Sequence, residues 1–342
     1  MSKKKVWVSR PLFPDVLAHL ADHVEVAAET VEGTRSADQM RAKLADVDGA
    51  IVGLSERVDA GVLAGNTRLK VVANLGVGFN NFDLPAMTAA GVLATNTPDV
   101  LNESVADYAW ALMLAAARRV SAAERWLRAG HWTSTMRFDD WLGVDLHGKT
   151  LGILGMGRIG QAIARRACGF DMHVLYHNRS RLPDPVEREC RAQWVEKHEL
   201  LRRVDHLVLV LPFTAANRHA IGAPELALMK PSAVLVNVAR GGIVDDAALA
   251  RALRDKTLAA AALDVFEGEP AVHPDLLALD NAVLSPHIAS ASEDTRRAMA
   301  RLAADNVLAA LGLGKLAGQP PTPLNPEVMS RWSGAASVDN KA

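Results

Sequence analysis

The sequence predicts an α/β protein built from two doubly wound domains. Three observations lead to this prediction. Short β-rich runs alternate with helical segments through the first hundred residues, and the same alternation restarts at Thr150. Between a buried-strand pattern and an alanine-rich helical pattern, the second series contains Gly155-Met-Gly-Arg-Ile-Gly160.

The composition is that of an ordinary globular chain. Of 342 residues, 49% are hydrophobic and 23% are charged, and the formal net charge is −1. A net charge this small gives no electrostatic attraction for nucleic acid or anionic lipid. We therefore expect a small-molecule partner. The sequence contains no run of 18 apolar residues, so we expect no transmembrane helix. The two cysteines form no CxxC and the histidines form no metal motif, which favours a reducing, cytoplasmic compartment and no metal site.

Strand candidates divide the chain into two series. Parallel strands joined by helices are expected in both. The first series comprises residues 6–9, 24–27, 50–54, 70–75 and 92–95, and the second comprises 150–154, 173–177, 206–211, 233–238, 259–265 and 282–285.

The segments around the two series complete the predicted domains. Helices are expected from about residue 102 to 129, followed by an arm, residues 130–145, rich in large apolar side chains. A helix over 292–311 has no sheet of its own to cover and should return to the first domain. We therefore predict a substrate domain from residues 1–101 plus 289–326, a cofactor domain from 102–288, and a flexible tail from 327–342.

The glycine turn predicts a dinucleotide site. Gly155 permits a tight turn, Gly157 lets a pyrophosphate approach the backbone, and Gly160 lets helix and strand pack closely. A turn that binds no ligand is the alternative. An acid commonly follows the second strand in NAD-preferring sites, but here Asn178-Arg-Ser-Arg181 follows it.

These residues favour NADP(H), with NAD(H) still possible. Asn178 and Ser180 can form hydrogen bonds with the ribose, while Arg179 and Arg181 could pair with a 2′-phosphate. Arg158 could also face phosphate. The alternative is that the arginines are simply a solvated strand end.

Three polar residues follow late strands, where ligands bind in an open α/β sheet. They are Arg240, Glu269 and His287. Each alone could be structural, but together they match hydride transfer to a 2-keto acid. Such a reaction needs a guanidinium to bind the substrate carboxylate and an acid to protonate the forming hydroxyl. It also needs a protein carboxylate that keeps this acid protonated.

Six segments, in this order, resemble the D-isomer-specific 2-hydroxyacid dehydrogenase family, and most closely its bacterial glyoxylate/hydroxypyruvate reductases and 2-ketogluconate reductases. They are Val-Gly-Phe-Asn-Asn-Phe-Asp at 77–83, Ser-Val-Ala-Asp-Tyr-Ala at 104–109, the glycine turn at 155–160, Asn-Val-Ala-Arg-Gly at 237–241, Leu-Asp-Val-Phe-Glu-Gly-Glu-Pro at 263–270 and Ser-Pro-His-Ile at 285–288. The resemblance implies a flavodoxin-like substrate domain with an inserted Rossmann domain.

The resemblance also implies residue roles. Arg240 would bind substrate, His287 would be the acid/base and Glu269 its partner. The substrate would contact Leu54, Leu75, Val77, Gly78, Arg240, His287 and Trp141, the last from the arm of a neighbouring subunit in a homodimer. The cofactor would contact Val105, Gly155, Met156, Gly157, Arg158, Ile159, Gly160, Asn178, Arg179, Ser180, Leu211, Pro212, Thr214, Val238, Ala239, Arg240, Asp264, His287 and Ala289.

Three functions remain open at this point. The leading prediction is an NADPH-dependent reductase of glyoxylate and hydroxypyruvate, with 2-ketogluconate as a further candidate substrate. The second is an NAD-dependent D-2-hydroxyacid or D-3-phosphoglycerate dehydrogenase, which would need the missing acid after the second strand. The third is a cofactor-sensing, corepressor-like protein without turnover.

Overall fold

The computed structural model describes residues 3–335. The chain divides into two compact units, Met1–Leu101 with Ser292–Ala342 and Asn102–Ala291. Among the described residues, none of the helices has the length and hydrophobicity needed to span a bilayer.

The first unit contains a five-stranded parallel sheet. Its strand order, β2-β1-β3-β4-β5, is the flavodoxin-like order. Side chains alternate across the sheet, so Val6 and Val8 enter one apolar core while Trp7 enters the other. The elements are β1 (Lys5–Val8), α1 (Pro14–Ala21), β2 (Glu25–Ala28), α2 (Ala37–Ala45), β3 (Gly49–Val52), α3 (Ala60–Leu63), β4 (Val71–Asn74), α4 (Leu84–Ala89) and β5 (Leu93–Thr95).

The second unit contains a seven-stranded parallel sheet of order β12-β11-β10-β9-β6-β7-β8. The strand order reverses beside β6, as in dinucleotide-binding folds, and the fold class predicted from the sequence is confirmed. The elements are α5 (Asn102–Ala117), α6 (Val120–Arg128), β6 (Thr150–Leu154), α7 (Arg158–Arg166), β7 (His173–His177), α8 (Asp184–Cys190), β8 (Ala192–Trp194), α9 (Lys197–Arg203), β9 (His206–Leu209), α10 (Ala223–Leu226), β10 (Val234–Asn237), α11 (Asp246–Arg254), β11 (Ala260–Leu263), α12 (Pro274–Leu277) and β12 (Ala282–Leu284).

Two helices after residue 292 belong to the first unit. They are α13 (Glu293–Ala310) and α14 (Glu327–Ala335). Val307 of α13 and Val328 of α14 lie in the same core as β1. The 292–311 helix, predicted to return to the first domain, thus packs in the core of the first unit.

The predicted flexible tail is wrong for residues 327–335. Val328 is fully buried, and the indole N–H of Trp332 donates to the carbonyl of Gly91 at 3.2 Å. Val328, Met329 and Trp332 pack in the core of the first unit, but three apolar side chains in so short a segment gave too weak a helical pattern to be recognised. The rest of that prediction, residues 336–342, lies outside the described residues.

Strand β8 was missed in the sequence. It has three residues, Ala192–Trp194, pairs only with β7, and is half-buried to exposed. An edge strand of this length carries no continuous apolar run, so periodicity could not reveal it. The six predicted strands of this unit all occur, and β8 makes seven.

The arm, residues 130–145, has no regular helix or strand. Trp132 is 61% exposed, Leu142 is 68% exposed and Phe138 is fully exposed. Trp141 differs, because its ring lies 5.5 Å from that of Trp126 and beneath the guanidinium of Arg119 at 4.8 Å. Most of the large apolar side chains of the arm are thus uncovered within this chain.

Candidate active site

The ends of five strands lie in register along one edge of the seven-stranded sheet. The aligned terminal residues are Leu154, Leu209, Asn237, Leu263 and Leu284. Because all the strands are parallel, the residues that follow them emerge at the same edge, where open α/β sheets bind ligands. The glycine turn and all three predicted catalytic residues follow these strands.

The glycine turn joins β6 to α7, and its three glycines face different surroundings. Gly155 has a φ of +104°, and a Cβ there would lie 2.8 Å from the amide nitrogen of Leu211. A Cβ on Gly160 would lie 2.5 Å from the carbonyl oxygen of Gly155. A Cβ on Gly157 would meet nothing within 4 Å. The first and third are thus required by the fold, whereas Gly157 leaves open space at the N-terminus of α7, which fits a pyrophosphate.

The end of β7 is tied to this turn. The Oδ1 of Asn178 accepts a hydrogen bond from the amide of Met156 at 2.7 Å. Met156 is buried, so only its backbone faces the turn. Arg179 and Ser180 are exposed just beyond. No carboxylate occurs at positions 178–180.

Arg181 does not fit the phosphate role suggested by the sequence. Its Nε and Nη2 donate to the two carboxylate oxygens of Glu187 at 3.0 and 2.6 Å. The same carboxylate accepts from the hydroxyl of Tyr176, and burial raises the pKa of Tyr176 to about 12. The hydrogen bond from Arg181 lowers the pKa of Glu187. Arg181 is therefore engaged in holding α8 against β7.

Arg240 lies in a loop shaped by Asn237, the last residue of β10. The Oδ1 of Asn237 accepts from the amide of Ala239 at 3.0 Å, and its Nδ2 donates to the carbonyl of Arg240 at 3.3 Å. The guanidinium donates from Nη1 to the carbonyl of Ala239 at 2.7 Å. Burial lowers the pKa of Arg240, and the charge of Glu269 opposes that change.

Glu269 and His287 form a direct pair. The Nδ1 of His287 lies 2.8 Å from Oε2 of Glu269, and the other oxygen, Oε1, accepts from the amide of Phe266 at 2.9 Å. With Nδ1–H donating to the carboxylate, Nε2 is the ring atom left to give or take a proton.

The carboxyl pKa of Glu269 reflects opposing effects. Burial raises it, but the hydrogen bond and charge of His287, helped by the charge of Arg240, lower it overall. The three predicted catalytic residues are therefore brought into one electrostatic cluster. The pair also borders a cavity of about 290 Å³ that is otherwise lined mainly by apolar side chains, among them Phe266, Pro270, Val272, Leu284 and Pro286.

Asp264 fixes the backbone around His287. Its carboxylate is 1% exposed overall and accepts from the hydroxyl of Ser285 at 2.7 Å and from the amides of Ile288 and Ala289 at 2.9 and 2.8 Å. The amide of His287 donates to the carbonyl of Asp264 at 2.8 Å. These bonds hold His287 at a φ of +55°, a conformation uncommon for residues other than glycine.

The remaining predicted residues divide between the two units. Those proposed for the cofactor lie in the second unit, most of them at the edge described above; Val105, in α5, is buried. Leu54, Leu75, Val77 and Gly78 lie in the first unit, after β3 and β4. Sequence reasoning missed Asn237, although its place directly before the Val-Ala-Arg-Gly segment was a signal for a side chain that shapes the turn.

Comparison with protein families gives a match over residues 110–289 to the model described as D-isomer specific 2-hydroxyacid dehydrogenase, NAD binding domain. The matched range contains the glycine turn and Arg240, Glu269 and His287.

Similar proteins extend this match over nearly the whole chain. A glyoxylate reductase of Thermococcus onnurineus is 46% identical, covering 96% of this chain and 98% of that protein. A structure of an NADPH-dependent glyoxylate/hydroxypyruvate reductase from Sinorhizobium meliloti, in complex with NADP and malonate, is 37% identical with a TM-score of 0.82, covering 94% of this chain and 97% of the other. The TT0316 protein from Thermus thermophilus is 38% identical with a TM-score of 0.86, covering 94% and 99%. The chain belongs to the D-isomer-specific 2-hydroxyacid dehydrogenase family of oxidoreductases.

Proposed function

We propose that this protein is an NADPH-preferring reductase that converts glyoxylate, hydroxypyruvate and, as a further candidate, 2-ketogluconate to D-2-hydroxy acids. The observation that carries the proposal is the Glu269–His287 hydrogen bond at 2.8 Å, at the sheet edge that also bears Arg240 and the glycine turn. The names of the similar proteins support the same class of substrate.

The chemistry follows from the protonation of this pair. A bound nicotinamide would supply the hydride for the substrate carbonyl carbon. The Nε2 of His287 would donate a proton to the carbonyl oxygen, while Glu269 stabilises the charged ring through Nδ1. Arg240 would grip the substrate carboxylate and stabilise negative charge developing on the oxygen. Ala239 and Asp264 would orient the nicotinamide.

The residues beyond β7 support the preference for NADPH. Arg179 is exposed and has no ion-pair partner among the described residues, and no carboxylate nearby in sequence would repel a 2′-phosphate. With Arg181 held by Glu187, Arg179 is the better candidate to bind the 2′-phosphate. The resemblance further supports the backbone amides of Val77 and Gly78 as donors to the substrate carboxylate.

A steady-state panel tests this proposal. Each of the three acids, glyoxylate, hydroxypyruvate and 2-ketogluconate, would be assayed with NADPH and with NADH. The rate is the fall in absorbance of the reduced nicotinamide. We expect turnover of at least one acid with a higher kcat/KM for NADPH. Preference for NADH would instead support an NAD-dependent D-2-hydroxyacid dehydrogenase, and cofactor binding without turnover would support a sensor.

The exposed side chains of the arm and α6 support a homodimer as the working form. Val120, Leu127, Trp132, Phe138 and Leu142 are all at least half exposed, a grouping of apolar side chains that favours burial by another protein surface. We therefore propose that a second copy of this chain covers them and that Trp141 reaches the partner's substrate site. Phe138→Asp should shift the sedimentation coefficient toward that of a monomer, and an unchanged profile would refute the arm's role.

A further inference from the structure

The loop that carries Arg240, residues 238–245, is here called the Arg240 loop. It is held by residues 219–221, which include none of the three predicted catalytic residues. The amide of His219 donates to the carbonyl of Gly242 at 2.7 Å, and the amide of Ile221 donates to the carbonyl of Ile243 at 3.1 Å. The amide of Asp245 donates back to the carbonyl of Ile221 at 3.0 Å. These bonds form a short parallel ladder beside the Arg240 loop, so the position of that loop depends on residues 219–221.

The ring of His219 reaches the loop that carries Glu269, residues 264–273, here called the Glu269 loop. Its Nε2 lies 2.9 Å from Oε2 of Glu267, two residues before Glu269. Arg218 donates to the other carboxylate oxygen of Glu267 at 2.8 Å. The hydrogen bond from His219 is the largest cause of the lowered pKa of Glu267, followed by that from Arg218. Both carboxylate oxygens of Glu267 are therefore held by the segment that is bonded to the Arg240 loop.

The backbone of Glu267 is fixed as well. Its amide donates at 3.0 Å to Oδ2 of Asp246, which is 5% exposed and whose carboxyl pKa is raised by burial. The adjacent residue, Phe266, donates its amide to Glu269. A displacement of Glu267 would thus be transmitted through one peptide to the carboxylate that holds His287.

The two catalytic loops also touch directly. A Cβ on Gly241 would lie 1.7 Å from the carbonyl oxygen of Phe266, so the backbones meet with no room for a side chain. His219 bonds to both loops at once, by its amide to the first and by its ring to the second. Its backbone has a φ of +51°, in the left-handed region.

We propose that His219 is a positioning residue that sets the Arg240 loop and the Glu269 loop relative to each other. In this role it touches neither substrate nor cofactor. It acts through Gly242 on the guanidinium and through Glu267 on the Glu269–His287 pair. The inference deepens the proposed reductase function and, for its effect on turnover, rests on it.

Two substitutions separate this role from simple loss of stability. His219→Asn keeps a residue type that accepts a positive φ, but its side chain is too short to reach Glu267. His219→Gln places an amide N–H at about the distance of the imidazole Nε2. The control is His147→Asn, which removes the ring from an exposed histidine–carboxylate pair with Asp171 at 3.6 Å, remote in sequence from both loops.

The measurements are kcat, the KM values for glyoxylate and for NADPH, and hydrogen–deuterium exchange of the Glu267 amide. In His219→Asn we expect kcat to fall about tenfold, since small misplacements of catalytic groups lower rates steeply, with the KM for NADPH within about twofold of wild type. Exchange at Glu267 should accelerate. His219→Gln should recover most of both properties, and His147→Asn should match wild type.

Several outcomes would overturn the inference. One is a wild-type kcat and wild-type exchange in His219→Asn. Another is a loss in His219→Gln as large as that in His219→Asn. The third is a rise in the KM for NADPH in His219→Asn as large as the fall in kcat. Because exchange needs no turnover, it still decides the loop-positioning role if wild type reduces none of the acids. That last result would refute the proposed function instead.

Discussion

Gly157→Ala should separate nucleotide binding from folding. In the folded chain the added methyl would meet nothing within 4 Å, and the φ of −79° is ordinary for alanine. Two small effects oppose each other. Alanine lowers the entropy of the unfolded chain, which stabilises by about 0.4–1 kcal/mol. Gly157 is also the N-cap of α7, and at an N-cap alanine stabilises a helix less than glycine does, by roughly 0.5–1 kcal/mol. The net change in unfolding free energy should be near zero.

The effect on NADPH should be large, because the methyl would project into the space assigned to the pyrophosphate. The nucleotide would have to withdraw from the amides at the N-terminus of α7. Loss of one hydrogen bond to a charged group costs about 1.5–3 kcal/mol, so the Kd for NADPH should rise roughly 10- to 150-fold.

The assay is a titration of nicotinamide fluorescence, with thermal unfolding measured in parallel. Gly169→Ala is the control, since a Cβ there also meets nothing within 4 Å but lies outside the glycine turn. Gly160→Ala should show the opposite pattern, with a lower Tm, because its Cβ would press on the carbonyl of Gly155. A Kd for Gly157→Ala equal to that of wild type would refute the placement of the pyrophosphate.

Four further predictions concern charged residues. His287→Ala should lower kcat by about 10² to 10⁴ in steady-state kinetics, with the fold retained; near-wild-type turnover would contradict its role as acid. Arg179→Asp should raise the KM for NADPH far more than that for NADH, and equal changes would exclude contact with the 2′-phosphate. Glu269 has a lowered pKa, so its stabilisation is present above pH 4.5 and lost as pH falls through the lower folded value. The stability difference between wild type and Glu269→Gln should therefore shrink below pH 4.5 in urea titrations, and a constant difference would refute the pairing. Glu56→Gln should cost about 3–5 kcal/mol by the same method, since its fully buried carboxylate pairs with two arginines; a loss below about 1 kcal/mol would contradict that estimate.

The sequence was most informative where strands are buried on both faces. β3 and β4 read as continuous apolar runs, because parallel strands covered by helices contact apolar side chains on either side. Their bounds agree with the predicted runs to within two residues. β8 escaped prediction because it lies at the sheet edge, and α14 because few of its side chains enter the core.

The candidate site was predictable in its residue types but not in its bonding. Segment order and the sheet edge indicated Arg240, Glu269 and His287, since residues after parallel strands gather at one edge. The engagement of Arg181 by Glu187 was not predictable, although the two stand only six residues apart. Spacing in a loop before a helix does not determine which way a long side chain turns.

The arrangement of Asp264 shows why a motif alone cannot assign a role. Its place in Leu-Asp-Val-Phe suggested contact with the nicotinamide through the resemblance, yet its carboxylate accepts three hydrogen bonds from residues 285–289. A fully buried carboxylate needs such partners, because an unpaired charge there would be costly. Those same bonds hold His287 in the left-handed region, where its ring can meet Glu269. The geometry of the acid therefore depends on a second carboxylate that never touches its ring, and replacing Asp264 should impair His287 even where nucleotide binding is retained.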